Sequence, residues 1–157
     1  MKKIALIIFV LLTFFSEAQK KQIKIHISEY NPYCGGARPP KEMEEAAKKP
    51  QPYAGHTLIY KNAKGKVDSV KTNDSGNVVL NLKYGTYKFY QSWRYHKSLP
   101  DISLKNNFDK ACMKKEWEKT LLTITVSATS VEKPHSVEIY NVCPHAQPCI
   151  LKAVFPE

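Results

Sequence analysis

Acidic residues are scarce in this sequence and are outnumbered by basic ones. There are 14 Asp and Glu against 24 Lys and Arg, which gives a net charge of +10 at pH 7. Such an excess of basic residues keeps a surface solvated, and it also favours anionic partners such as an acidic surface polymer. The basic residues are scattered and form no stripe on a predicted helix. The sequence therefore does not indicate a nucleic-acid-binding protein.

The residue patterns of common catalytic and metal sites are also missing. The five histidines occur in no His-x-x-x-His pattern and the four cysteines in no Cys-x-x-Cys pattern. No Ser, His and Asp set and no isolated pair of carboxylates suggests nucleophilic or acid–base catalysis. A catalytic cysteine has to be unpaired, and an even number of cysteines leaves none obviously spare. We therefore expect a protein that is not an enzyme and carries no cofactor.

The first eighteen residues have the features of a secretory signal peptide. A basic start at Lys2 and Lys3 precedes an apolar run from Ile4 to Phe15, and Ala18 supplies a small residue before a cleavage point at Gln19. No later apolar run is long enough to span a bilayer. Removal of residues 1–18, which contain two lysines and one glutamate, leaves residues 19–157 with a net charge of +9. We expect this mature chain to be a single domain, periplasmic or secreted, with no transmembrane segment.

The four cysteines, Cys34, Cys112, Cys143 and Cys149, form an even set in a chain that we expect to be exported. This indicates two disulfides, for which three connectivities are possible. Cys143 and Cys149 enclose a loop of five residues that begins and ends with proline. Because a bridge across such a loop is geometrically natural, we predict the pairs Cys143–Cys149 and Cys34–Cys112.

Most of the chain has the pattern of short strands joined by turns. Between Thr57 and Trp93, β-branched and aromatic residues alternate with Asn, Asp and Gly turns at about ten-residue spacing, as in an antiparallel meander. From Lys20 onward, Ile23, Ile25 and Ile27 alternate with polar residues, as in a half-buried strand. The predicted strands are Lys20–Tyr30, Thr57–Tyr60, Val67–Lys71, Val78–Leu82, Thr86–Trp93, Leu122–Val126, Ser136–Tyr140 and Ile150–Phe155.

Two short helices interrupt these strands. Lys41 to Lys49 has acids early, bases late and a proline at each border, which matches the start and stop rules for a helix. A second helix is predicted after a cap at Asn106-Asn107 and continues to Lys115. The sequence therefore predicts an all-β, two-layer antiparallel β-sandwich with a helical insertion near residues 39–49 and a cysteine-containing C-terminal extension.

The centre of the chain resembles a known family of domains. Three segments carry the likeness, namely Tyr53–Tyr60, Thr72–Val78 and Leu82–Phe89. They contain a strand that follows a Gly, a Thr-Asn-Asp-Ser-Gly turn and a Gly-Thr-Tyr start to the next strand. Over Tyr53 to Phe89 the sequence resembles the carboxypeptidase regulatory-like domains, relatives of the prealbumin and Cna-B sandwiches. The resemblance implies a transthyretin-like topology and a role as an adaptor or binding module, with no shared catalytic residues.

Two groups of side chains are candidates for binding. The aromatic residues of the last meander strand and the basic residue among them could stack and hydrogen-bond a sugar or a surface polymer. We expect Tyr87, Phe89, Gln91 and Trp93 to face the core and Tyr90 to be exposed. The predicted ligand-binding residues are Tyr90, Trp93, Arg94 and Tyr95.

The second group is an alternative metal site of sulfur and imidazole ligands, which suit copper or zinc. Its residues would be Cys112, Met113, Cys143, His145 and Cys149. The sequence thus favours an exported, non-enzymatic interaction or binding module of the cell envelope, whose partner is an envelope protein or an anionic surface polymer. A small periplasmic metal-binding protein and a carbohydrate- or polymer-binding domain remain alternatives. The oligomeric state is left open.

Overall fold

The first strand, β1 (Lys20–Tyr30), organises one of two sheets in the computed structural model, which describes residues 19–35, 37–99, 107–130 and 133–151. β1 pairs in antiparallel orientation with β2 (Gln51–Pro52) and with β5 (Asn77–Lys83). It pairs in parallel orientation with β8 (His135–Tyr140). The predicted signal peptide lies outside the described residues.

The second sheet contains the rest of the predicted meander. Its strand order is β4 (Val67–Lys71), β3 (Thr57–Asn62), β6 (Gly85–Gln91) and β7 (Leu122–Val126). All three pairings in this sheet are antiparallel. The meander therefore does not form one sheet, because β5 leaves it to pair with β1.

The two sheets enclose one apolar core. The predicted alternation on β1 is confirmed, since Ile23, Ile25 and Ile27 are buried while the intervening side chains are exposed or half-buried. On β6, Tyr87, Phe89 and Gln91 are buried as predicted. Each large apolar side chain moved out of water in this way contributes about 1.5–3 kcal/mol to the free energy of folding. The core consists of Ile23, Ile25, Ile27, Tyr53, Leu58, Val78, Leu82, Tyr87, Phe89, Ile124, Val126 and Ile139.

The turn between β4 and β5 packs closely against β1. The Asn73 side-chain oxygen accepts hydrogen bonds from the backbone N–H of Ser75 at 3.0 Å and of Asn77 at 2.8 Å. Gly76 has φ +71°, and its carbonyl oxygen accepts the backbone N–H of Ile27 at 2.9 Å. The Ile27 carbonyl oxygen in turn accepts the backbone N–H of Tyr53 at 3.0 Å. The turn therefore attaches the second half of the meander to the middle of β1.

Three short helices lie in the described part of the chain. α1 (Lys41–Ala47) is on the surface with no buried residue, as predicted. α2 (Ser92–Tyr95) replaces the last two residues of the predicted strand Thr86–Trp93, so the prediction that Trp93 lies in a strand is wrong. α3 (Lys110–Glu118) begins after Asp109, whose carboxylate accepts the Cys112 backbone N–H at 2.6 Å. Asp109 therefore caps this helix in place of the predicted asparagine pair, because a cap must lie directly before the first helical residue.

The coarse prediction of an all-β sandwich is confirmed, with one correction to its antiparallel character. β8 follows β7 of the other sheet, so the chain crosses between sheets before it reaches β1 and can pair with it in either direction. Ile150, the start of the last predicted strand, forms only an isolated antiparallel bridge with Phe108, and residues 152–155 lie outside the described part. Within the described residues, no helix is long and apolar enough to cross a membrane.

Candidate functional site

A cavity of about 520 Å³ opens at one end of the sandwich, where β1 ends, β3 begins and β6 gives way to α2. We call it the Arg94 pocket. Its walls come from both sheets, from α3 and from the segment that follows β8. Its lining residues are Glu29, Tyr53, His56, Gln91, Trp93, Arg94, Glu116, Lys119, Ile139, Tyr140, Asn141, Val142, Ala146, Gln147 and Pro148.

Arg94 and Glu116 form a half-hidden ion pair in this pocket. The Arg94 Nη2 atom lies 3.5 Å from the Glu116 Oε2 atom, and their side chains are 20% and 11% exposed. The two residues meet because α2 packs against α3, where the Trp117 ring N–H donates to the Ser98 carbonyl oxygen at 2.8 Å. Glu116 also pairs with Lys119, the residue directly after the end of α3. The carboxylate of Glu116 is therefore shared between two cations.

The Arg94 guanidinium keeps hydrogen-bonding capacity that its neighbours do not use. Its Nε atom is buried without a hydrogen-bond partner, and the guanidinium carbon lies 4.8 Å from the centre of the Trp93 ring. Burial lowers the pKa of Arg94 from its ordinary value, while the charge of Glu116 opposes the shift. An arginine side chain stays protonated in proteins even so. The pocket therefore contains a cation with an unsatisfied N–H group.

The floor of the pocket is a buried tyrosine that is held by two neighbours. The Tyr53 ring stacks on His56 with 3.8 Å between ring centres and 11° between planes. The Gln91 side-chain amide lies 3.5 Å from the Tyr53 hydroxyl, a long hydrogen bond. Burial raises the pKa of Tyr53, and the hydrogen bond from Gln91 partly opposes this. Tyr53 therefore stays neutral at physiological pH and offers a hydroxyl to the cavity.

A hydrogen-bonded rim joins the ends of β1 and β8 beside the pocket. The Asn141 side-chain amide donates to the Glu29 carboxylate at 2.7 Å and to the Asn31 side-chain oxygen at 2.7 Å. The Asn141 backbone N–H donates to the Tyr30 carbonyl oxygen at 3.0 Å, which extends the parallel pairing by one residue. Next to it, Tyr30 and Tyr140 stack in parallel with 4.7 Å between ring centres.

One wall of the Arg94 pocket is the short segment between Cys143 and Cys149, and a disulfide holds each end of this segment. The bridges are Cys34–Cys143 and Cys112–Cys149, with Cα–Cα distances of 5.4 Å in both. Ala146, Gln147 and Pro148 line the pocket between the two bridged cysteines. The prediction of two disulfides is confirmed, and all four cysteines are paired. The wall is thus attached at one end to the loop after β1 and at the other to α3.

The predicted connectivity, Cys143–Cys149 with Cys34–Cys112, is wrong. Parallel pairing of β1 with β8 aligns Tyr30 with Tyr140, so the loops that follow both strands run together and Cys34 meets Cys143. Cys149 is drawn to α3 instead, because its carbonyl oxygen accepts the Asp109 backbone N–H at 2.8 Å. The pairing therefore follows from strand register, which the spacing of cysteines along the chain does not contain.

The structure separates the four residues predicted to bind a ligand. Trp93 and Arg94 line the pocket. Tyr90 and Tyr95 do not, and they pack on each other at 5.9 Å between ring centres. Tyr90 is half-buried, so the expectation that it is exposed is wrong. The cause is α2, which turns back at the end of β6 and lays Tyr95 over Tyr90.

The alternative metal site is not assembled by this fold. Cys112, Cys143 and Cys149 are consumed by the two disulfides, and a thiolate, not a disulfide, is the sulfur ligand that copper or zinc requires. Met113 is almost completely buried. Among the described residues there is no group of three or more His, Cys, Asp or Glu side chains placed to hold a metal ion.

Several pocket residues were missed by sequence reasoning. Two of them share a signal, which is a polar side chain that continues the core-facing alternation at the end of a strand. Glu29 follows Ile23, Ile25 and Ile27 in phase, and Gln91 follows Tyr87 and Phe89. The missed residues are Glu29, Tyr53, His56, Gln91, Glu116, Lys119 and Asn141.

The chain was compared with protein-family models, with curated proteins and with solved structures, and nothing matches it. The chemistry of the pocket is therefore argued from its own residues. Arg94 and Lys119 supply charged N–H donors that pair with Glu116, and Glu29 supplies a second carboxylate. Tyr53, Gln91 and Asn141 supply neutral polar groups. The two charged donors suit recognition of a small acidic group, because a carboxylate or phosphate accepts strong hydrogen bonds from charged donors.

Proposed function

We propose that this protein is an exported, non-enzymatic binding module of the cell envelope, and that the Arg94 pocket holds a ligand with an acidic group. The observation that carries the proposal is that Arg94 lines a cavity of about 520 Å³ and that its buried Nε atom has no hydrogen-bond partner. An unsatisfied buried N–H costs about 1–3 kcal/mol. A ligand oxygen that accepts from it recovers this free energy on binding. The cavity is also in the size range of small-molecule sites.

Two further observations support a binding role. The ion pair between Arg94 and Glu116 is long, at 3.5 Å, and Glu116 has Lys119 as a second partner. An acidic ligand can therefore replace Glu116 at Arg94 without leaving a carboxylate unpaired. The predicted signal peptide and the two disulfides support export, since disulfides persist in oxidising compartments.

Carbohydrate binding is a second candidate, and a specific observation favours it. Trp93 lines the pocket beside Arg94, and aromatic rings at a polar pocket are suited to stacking on sugar rings. One face of the Trp93 ring is already covered by the Arg94 guanidinium. An acidic sugar would satisfy both candidates, with its ring near Trp93 and its carboxylate at Arg94.

Calorimetric titration with a matched pair of sugars tests both. D-Galacturonate carries a carboxylate that D-galactose lacks, so we expect galacturonate to bind about ten- to a hundredfold more tightly, the effect of one charged hydrogen bond. The Arg94→Met variant should lose this difference. Arg38→Met is the matched control, because Arg38 is the other arginine of the chain and is exposed.

Three outcomes have distinct meanings. Equal binding of the two sugars that depends on Trp93 would favour a neutral carbohydrate ligand. An equal loss in the Arg94 and Arg38 variants would mean that the pocket is not the site. No binding of either sugar, together with no retardation of the protein by acidic polysaccharide in an affinity gel, would contradict the proposal.

A further inference from the structure

The end of the sandwich opposite the Arg94 pocket contains a second cleft, of about 250 Å³. It lies where β1 begins, β3 ends and β5 ends. Because an extended strand rises about 3.3 Å per residue, the length of β1 places the cleft about 30 Å from the Arg94 pocket. Three lysines line it, Lys20, Lys66 and Lys83. We call it the lysine cleft. Asp68 is the single carboxylate among its lining residues.

The charge arrangement in the lysine cleft is unfavourable for the fold by itself. Lys20 and Lys83 are direct partners in the antiparallel pairing of β1 with β5, and like charges placed directly opposite one another destabilise a sheet. No ion pair joins Lys20, Lys66 or Lys83 to a carboxylate in the part of the chain that the structure describes. An anion bound between these lysines would relieve their repulsion.

The backbone around the cleft is fixed by hydrogen bonds, so the points from which the side chains of Lys66 and Lys83 extend are fixed. The Asn62 side-chain oxygen accepts the Lys66 backbone N–H at 2.9 Å, and the Lys66 carbonyl oxygen accepts the Asn62 backbone N–H at 3.0 Å. The Tyr87 hydroxyl donates to the Lys83 carbonyl oxygen at 3.0 Å.

The surroundings of the cleft favour a membrane surface as the source of the anion. Lys61, near the end of β3, and Lys64, in the turn that follows, are exposed, and Tyr84, at the turn after Lys83, is 43% exposed. Clustered lysines are attracted to anionic lipid headgroups, and tyrosine is favoured at the level of those headgroups. We propose that the lysine cleft binds the phosphate groups of anionic phospholipids and docks this end of the sandwich on a membrane surface.

Vesicle co-sedimentation tests the proposal with two triple variants of equal charge. The first, Lys20→Gln with Lys66→Gln and Lys83→Gln, removes the lysines of the cleft. The control, Lys110→Gln with Lys114→Gln and Lys115→Gln, removes three exposed lysines from α3. Vesicles of phosphatidylcholine with phosphatidylglycerol are compared with vesicles of phosphatidylcholine alone.

We expect the parent protein to bind only the anionic vesicles, and the cleft variant to bind them on the order of a hundredfold more weakly. The control variant should lose only a few-fold from its lower net charge. Removal of the repulsion between Lys20 and Lys83 should leave the cleft variant at least as resistant to thermal unfolding as the parent, so that lost binding does not reflect lost structure. Its binding of galacturonate should be unchanged, which keeps this proposal separate from that for the Arg94 pocket.

Equal losses in the two triple variants would overturn the proposal, because general charge would then account for binding. Failure of the parent to bind anionic vesicles would overturn it as well. Calorimetry with inorganic phosphate distinguishes the source of the anion. Phosphate binding that requires the cleft lysines, without vesicle binding, would overturn the lipid assignment and leave a site for free phosphate.

Discussion

Replacement of Gly76 by alanine tests the close contact between the β4–β5 turn and β1. Real Cβ atoms essentially never approach another heavy atom more closely than 3.0 Å, and a Cβ atom at this position would pass that limit by about 0.8 Å at the Ile27 carbonyl oxygen. It would also lie 3.0 Å from the Tyr53 backbone nitrogen. Both neighbours are backbone atoms, so neither can move without shifting a strand. We therefore expect the Gly76→Ala variant to force the turn away from β1.

The expected cost has two parts. The first is the φ of +71°, which costs a residue with a Cβ about 1–2 kcal/mol. The second is the loss of the two backbone hydrogen bonds that Ile27 makes with Gly76 and Tyr53. Each lost bond leaves a buried polar group unsatisfied, which costs about 1–3 kcal/mol. We expect the free energy of unfolding to fall by about 3–8 kcal/mol, which is a large share of the stability of a domain of this size.

The Gly65→Ala variant is a matched control, because it isolates the cost of placing a residue with a Cβ at a positive φ. Gly65 has φ +84°, and the nearest atom to its added Cβ is the end of the flexible Lys61 side chain at 3.9 Å. This variant should lose only about 1–2 kcal/mol. The assay is equilibrium unfolding in urea for both variants under oxidising conditions. Equal losses in the two variants would refute the reasoning, because they would show that the close approach to Ile27 adds nothing.

Three further predictions concern the helices, the bridges and the surface. The Asp109→Ala variant should lose about 1 kcal/mol of unfolding free energy with its helix cap, measured by urea unfolding; an unchanged midpoint would mean that the cap contributes nothing. Replacement of Cys112 and Cys149 by serine opens a closed loop that spans 37 residues. By the chain-entropy argument this should lower the free energy of unfolding by about 4 kcal/mol, and the same protein should bind galacturonate more weakly. Full stability and full binding would contradict this prediction. A hydrogen bond to Glu138 raises the pKa of the Tyr140 hydroxyl from 10.0 to about 12. This hydrogen bond therefore stabilises the fold fully below pH 10, and its contribution is lost as the pH rises toward 12. Ultraviolet titration of Glu138→Gln should show one tyrosine that ionises at lower pH than in the parent, and identical curves would rule out the hydrogen bond.

Local patterns in the sequence were enough to predict most strands. The alternation of Ile23, Ile25 and Ile27 defines which face of β1 is buried, since the side-chain period of a strand is two. The turn at Asn73 to Gly76 was predicted from residues that accept its backbone angles. The surface helix at Lys41 to Ala47 followed from its charges and flanking prolines. These features depend on neighbours along the chain, and the sequence contains those neighbours.

Features that depend on distant parts of the chain were predicted less well. The disulfide pairing was wrong because it follows from the register of β8 on β1. The end of β6 was wrong because Ser92 to Tyr95 has a strand-like composition, and the packing of α2 on α3 overrides that preference. The pocket combines Glu29, Gln91 and Glu116 from three separate elements. In the sequence, Glu29 and Gln91 stand out only as polar residues at positions where the strand alternation points toward the core. Nothing in the sequence indicates that the three residues lie close together.

The parallel pairing of β1 with β8 has a consequence for the order of folding. A chain that emerges with its N-terminus first presents eleven residues of β1 more than one hundred residues before the partner strand exists. Contacts this far apart in sequence slow folding, and an unpaired strand edge invites association with other chains. The Cys34–Cys143 disulfide, which joins the loops just beyond these same two strands, can therefore form only after Cys143 has been synthesised. Any truncation that removes β8 should yield a product that aggregates.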